Sequence, residues 1–137
     1  LRDIEEIIIH CSATYPSMNI GVKEIRQWHL ERGWDNIGYH YVITRDGVVQ
    51  NGRSEDVAGA HAKGHNQKSI GVCMVGGLAR DGRQACNFTA KQWDMLEWLV
   101  FTILRNRYPA AEIIGHNDIS EKTCPTFDVK AWAKDLI

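Results

Sequence analysis

At 137 residues the chain has the length of one domain, read as a single unit over 1–137, and a chain of this size buries roughly two-thirds of the surface that its unfolded form exposes. An apolar share of 44% and a charged share of 24% place it among globular proteins, and a net charge of -1 gives no field for wrapping nucleic acid or coating an anionic membrane. The longest apolar runs fall far short of the roughly 18 residues of a membrane span, and no signal-like start is visible, so the expectation is a monomer made in the cytoplasm without a signal peptide.

The first element is "IEEIIIHCSA" (4–13), short and rich in isoleucine, which predicts a strand ending near His10. "VKEIRQWHLERG" (22–33) has Val22, Ile25, Trp28 and either His29 or Arg32 at helical spacing, with Gly33 as its stop. "YHYVIT" and "VVQNGR" flank Arg45-Asp46-Gly47; the Asp-Gly pair is a hairpin signal and predicts two antiparallel strands over 39–53. "SIGVCMVGG" (69–77) is an almost continuous apolar run, suited to a strand buried on both faces.

The longest helix should start at Thr89, since Thr89 and Gln92 form a capping-box pattern. Trp93, Leu96, Leu99, Val100, Ile103 and Leu104 then make its apolar stripe, and it must end before Pro109. "EIIGH" (112–116) is a short strand delivering His116 to a loop, and "DVKAWAKDLI" (128–137) is a last helix capped by Asp128. Strands alternate with helices and one hairpin interrupts them. The fold class is α/β: a single mixed central sheet flanked by about three main helices.

Cys11, Cys73, Cys86 and Cys124 are too sparse for a disulfide-built scaffold, and Cys11 and Cys73 lie in apolar runs; all four are expected to be reduced. Of the six histidines, His10 and His116 each end a predicted strand, at the rim where α/β folds build sites, and Cys124 follows on the next loop. Two imidazoles and a thiolate are three ligands of a zinc site with one open position. The spacing alone does not decide it, because two histidines and a cysteine in a chain of this length are more often not ligands.

Four segments, "IIIHCSAT", "GYHYVITRDG", "HAKGHNQKSIGVCMVGG" and "GHNDISEKTCPTFD", occur in an order and at separations that resemble type 2 N-acetylmuramoyl-L-alanine amidases, phage endolysins above all and peptidoglycan recognition proteins more distantly. The resemblance runs from Ile8 to Trp132. It implies zinc ligands at His10, His116 and Cys124, catalytic roles for Tyr39 and Lys122, and substrate binding by His61 beside the groove. It also implies peptidoglycan as partner and cleavage between the muramoyl lactyl group and L-alanine. A cysteine at 124 departs from the cytoplasmic recycling amidases, which carry aspartate there.

The chemistry suits those roles. Zinc acidifies water and polarises a carbonyl, and an ammonium and a phenol can meet the developing oxyanion. Two other classes compete: a non-catalytic peptidoglycan-binding module, which would typically lack a zinc ligand, and a thiol hydrolase using Cys11 or Cys124. Cys11 adjoins His10, and neighbouring strand residues point to opposite faces, which argues against that dyad. His40 is expected in the core, on the opposite side of a regular strand from Tyr39. His29 and His65 are expected in structural or surface roles, and Trp28 and Trp93 in the core.

Overall fold

The computed structural model describes residues 2–136. In chain order the elements are β1 (Glu6–Cys11), α1 (Val22–Glu31), β2 (Tyr41–Ile43), β3 (Val49–Asn51), β4 (Ser69–Met74), α2 (Ala90–Glu97), α3 (Arg105–Arg107), β5 (Glu112–Gly115) and α4 (Val129–Asp135). One five-stranded sheet runs in the order β3-β2-β4-β1-β5, parallel except for the β2–β3 hairpin. The mixed α/β sheet expected from the alternation of elements is therefore observed.

The local signals act where the sequence places them. Gly47 takes a φ of +83° at the hairpin turn, a conformation that a Cβ would disfavour, and its N–H donates to the Thr44 carbonyl at 2.9 Å. The hairpin strands are shorter than 39–53, so Tyr39 and His40 precede the regular part of β2. Thr89 Oγ1 accepts the Gln92 N–H at 3.2 Å while Gln92 Oε1 accepts the Thr89 N–H at 2.9 Å, closing the capping box of α2. Gln92 is itself buried, and its amide donates to the carbonyls of Ile43 and Val75, tying the helix start to the sheet.

Beyond Glu97 the helix widens: Trp98–Leu104 is π-helical, with the Arg105 N–H reaching back to the Val100 carbonyl, before α3 closes it. This keeps Leu99, Val100 and Leu104 against the sheet.

Alternation along β1 sorts the interior into two sides. Ile7, Ile9 and Cys11 join Ile70, Val72 and Met74 of β4 under α2 and α4 in the largest apolar cluster. Ile8 packs on the other side with Ala62 and Ile114, while Cys73 and Val42 meet Ile25 of α1. Ile7, Ile8 and Ile9 are all fully buried, each contributing on the order of 1.5–3 kcal/mol.

Candidate metal centre

The sheet register brings the two strand-end histidines together. β1 and β5 are parallel, with Ile9 opposite Gly115, so one further step sets His10 beside His116 on adjacent strand tips. Their ring centroids lie 4.6 Å apart. His10 is buried at the end of β1, whereas His116 opens a single 3-10 turn, His116–Asp118, and is half-buried.

The following loop folds back on itself. Ser120 Oγ donates to the His116 carbonyl at 2.9 Å, Asn117 Nδ2 to the Phe127 carbonyl at 3.1 Å, and Thr126 N–H to the Thr123 carbonyl at 2.6 Å. This returns Cys124 to the tip of β1, where its Sγ accepts the Cys11 backbone N–H at 3.0 Å. One donor atom each from His10, His116 and Cys124 then falls within 4.8 Å of the others, the one such group of three among the described residues.

Burial first, then His61, His116 and Lys122, holds His10 well below its ordinary pKa; burial first, then Lys122 and His65, also lowers His116. Both imidazoles are thus neutral near pH 7, the form that binds a metal. The Cys11 thiol, by hydrogen bonding, and burial push the Cys124 thiol up, so it is a bound cation that would favour its thiolate.

The remaining expected residues surround this trio. The Tyr39 ring lies 5.1 Å from His10, and burial, followed by Cys73 and Cys124, raises its hydroxyl well above the ordinary tyrosine range. Lys122 is exposed at the junction of two cavities. The larger, about 600 Å³, is lined by Trp34, His61, Lys63, His116 and Ser120 among others. The smaller, about 270 Å³, is lined by Cys11, Ala13, Gln84, Thr123, Cys124 and Thr126 among others. Ala13 and Thr126, its non-glycine positive-φ residues at 55° and 79°, place backbone strain beside the site, where such strain tends to collect.

His61 lines the larger cavity, yet its ring nitrogens point inward: Nδ1 shares a 2.8 Å hydrogen bond with His10 Nε2, and Nε2 lies 3.1 Å from Ser69 Oγ. His40 is buried; its Nδ1 accepts the Gly71 N–H, so Nε2 carries the proton and donates to the Val57 carbonyl at 2.8 Å. The rings of Tyr39 and His40 both reach the same histidine cluster, because residues 38–40 lie outside the regular strand and strict alternation does not apply. His29 and His65 stand apart from the trio. His29 Nδ1 accepts the Gly38 N–H at 2.9 Å, and His65 pairs with Glu6 at 2.7 Å. Trp28 and Trp93 pack against the apolar clusters, and all four cysteines are free.

Trp34 and Lys63 are cavity residues that sequence reasoning passed over. Trp34 sits five residues before Tyr39, just outside a quoted motif, and Lys63 lies inside one, two after His61, which was the available signal.

The sequence pattern of the family described as N-acetylmuramoyl-L-alanine amidase matches residues 1–127. The endolysin of Enterobacteria phage T3 is 51% identical over 128 residues, covering 93% of this chain and 84% of that protein. Among solved structures, the N-acetylmuramoyl-L-alanine amidase LysC from Clostridium intestinale superimposes with a TM-score of 0.81 at 28% identity, over 97% of this chain and 87% of the other. Drosophila PGRP-LB superimposes with a TM-score of 0.78 at 27% identity, over 98% and 80%.

Proposed function

The chain belongs to the N-acetylmuramoyl-L-alanine amidase family and is an amidase of bacterial peptidoglycan, and from that premise we propose that it works as a zinc-dependent endolysin of a phage or prophage. The single observation that carries the zinc reading is the convergence of His10, His116 and Cys124 at the tips of β1 and β5. Tetrahedral zinc with bonds of about 2.0–2.3 Å sets its ligands roughly 3.4–3.7 Å apart. Donors already within 4.8 Å reach that spacing by small side-chain rotations. Two neutral imidazoles and one thiol leave a fourth position open, as a catalytic zinc needs. The donor set fits.

When bound, zinc supplies Lewis acidity toward the scissile carbonyl and acidifies water near pH 7. The protein's own groups do the rest. The Lys122 ammonium, at the meeting point of both cavities, is placed to stabilise the oxyanion that forms at the carbonyl. Tyr39 keeps its proton, because burial raises its hydroxyl, and so acts as a hydrogen-bond donor to developing charge rather than as a base. A substrate laid across Lys122 places the muramoyl group in one cavity and the stem peptide in the other.

Purified protein should carry one zinc per chain, lose activity on chelation and recover it with zinc. Cys124→Ser should weaken zinc binding by more than about 100-fold, beyond the cost of losing a mere hydrogen-bond partner to a ligand. Digested sacculi should gain free L-alanine amino termini and no new reducing sugar ends. Full activity in metal-free protein would overturn the zinc reading, and new reducing ends would make the enzyme a glycosidase.

A further inference from the structure

We propose that His61 is a positioning residue that fixes the tautomer and orientation of His10, through a buried relay Ser69–His61–His10; this rests on His10 being a metal ligand. Its contribution is to hold the ligand, since both of its ring nitrogens are engaged by the protein.

The geometry commits both nitrogens of His61. Nδ1 lies 2.8 Å from His10 Nε2 and Nε2 lies 3.1 Å from Ser69 Oγ, with Ser69 fully buried on β4. A ligating nitrogen must offer a lone pair. His10 Nε2 is occupied by His61, so the lone pair is that of Nδ1 and Nε2 carries the proton. That N–H can donate only if His61 Nδ1 accepts, which in a neutral imidazole puts the His61 proton on Nε2, facing the Ser69 hydroxyl. The chain of donors closes with no conflict: Nε2–H of His10 to His61, and Nε2–H of His61 to Ser69.

The seat of the ring is built for this pose. A Cβ at Gly71 would lie 2.6 Å from His61 Cγ, and one at Gly59 would lie 2.7 Å from its Cδ2, so the imidazole rests against backbone on two sides. Asn66 Oδ1 accepts the N–H groups of His61 and Ala62, both at 2.9 Å, and fixes the loop that carries the ring. The His10 and His61 ring planes are nearly perpendicular, with centroids 4.9 Å apart, a separation compatible with a hydrogen bond made along the two ring edges. A metal-bound histidine usually hands its second N–H to such an acceptor, and loss of the acceptor typically weakens metal binding 10- to 100-fold.

The test measures zinc affinity by competition with a chromogenic chelator, together with histidine tautomers by long-range proton–nitrogen NMR on the wild-type chain. His61→Leu should weaken zinc binding by about 10- to 100-fold. His61→Asn, whose Oδ1 lies where Nδ1 does now, should recover most of it, a rescue that bulk alone would not give. The zinc-loaded wild type should show His10 protonated on Nε2 and His61 on Nε2. A proton on His10 Nδ1 would overturn the proposal even if His61→Leu fails to fold. So would zinc affinity in His61→Leu within threefold of wild type, a result that leaves the zinc reading standing. A wild-type protein that binds no zinc would bring down that reading and this proposal together.

Discussion

On the side of β1 that faces α2 and α4, Ile7, Ile9 and Cys11 meet Leu96, Leu99 and Val100, beside edge-to-face rings of Phe88, Trp93 and Phe127. On the other side, Ile8 and His10 look toward α1 and the loop before β4, where His10, His29 and His40 are all buried. The same strand therefore serves two chemistries. The first side asks only for shape and apolar area. On the second, each buried polar group needs a partner, since leaving one unmet costs roughly 1–3 kcal/mol. The partners are present: His10 on His61, His29 on Gly38, His40 on Gly71 and Val57. The dry side supplies stability, and the histidine side holds geometry in place at some expense of it.

Breaking the histidine side at its chemistry should have the largest effect. Lys122→Ala and Tyr39→Phe should each lower turnover on the order of 100- to 1,000-fold, the usual loss when one oxyanion donor is removed. Zinc content, binding to sacculi and thermal unfolding should stay close to wild type, because Lys122 is exposed and Tyr39→Phe keeps the ring. Near-normal rates in both variants would leave the loop 115–128 as a holder of metal ligands and nothing more.

Breaking the dry side should do the reverse. Leu96 is fully buried, so Leu96→Ala should cost about 2–5 kcal/mol in urea unfolding. Turnover per folded molecule should be unchanged. A drop in turnover beyond about tenfold at full folding would show that the two sides are mechanically coupled.

The dry side was the more legible one. The Thr89–Gln92 box, the Asp46-Gly47 turn and the apolar run of β4 are local signals, and each formed where its residues dictate. The candidate site residues came from a resemblance, and their arrangement was not legible in the sequence. What joins His10 to His116 is the parallel register Ile9–Gly115, set by crossover connections and not written in either segment. The relay from Ser69 through His61 depends on how one ring lies over Gly71, a tertiary fact. The π-helical stretch Trp98–Leu104 likewise hides in an ordinary helical stripe, because an i→i−5 bond changes the pitch without changing the residue types. The expected alternation of Tyr39 and His40 failed for the converse reason: the residues have strand-like composition and bond to both neighbours, but they precede the regular part of β2.

A milder way to sharpen the comparison is acid. Burial first, then Arg32 and Arg53, lowers His29 from 6.5 to about 4, and its Nδ1 accepts the Gly38 N–H. The unfolded chain therefore takes up this proton first as pH falls. The contribution of His29 is fully present above about pH 7 and is lost progressively from pH 6.5 down to about 4. Burial likewise lowers His61, to about 3, so the histidine side as a whole weakens in the same direction. Urea midpoints measured from pH 7.5 to 4 should fall, and His29→Gln should fall less steeply. Equal slopes in the two proteins would mean that His29 is not held neutral by the fold.

The smallest effect is expected at Cys11, where the two sides touch. Cys11 belongs to the dry cluster, but its backbone N–H is the group that holds Cys124 Sγ at 3.0 Å, and its thiol lies against the same sulfur. Cys11→Ala removes the thiol and keeps the N–H. If the backbone bond positions the ligand, zinc affinity should change by less than about tenfold, the lower bound for losing a partner of a metal ligand. Turnover should be largely retained, and stability should fall by about 1 kcal/mol, in the ordinary range for a buried truncation. The variant also disposes of a thiol hydrolase at this position, since a nucleophile cannot be replaced by a methyl group without loss of turnover. Abolished activity with zinc still bound would move Cys11 from packing into chemistry, and the division of β1 into a dry side and a working side would end one residue short of the strand tip.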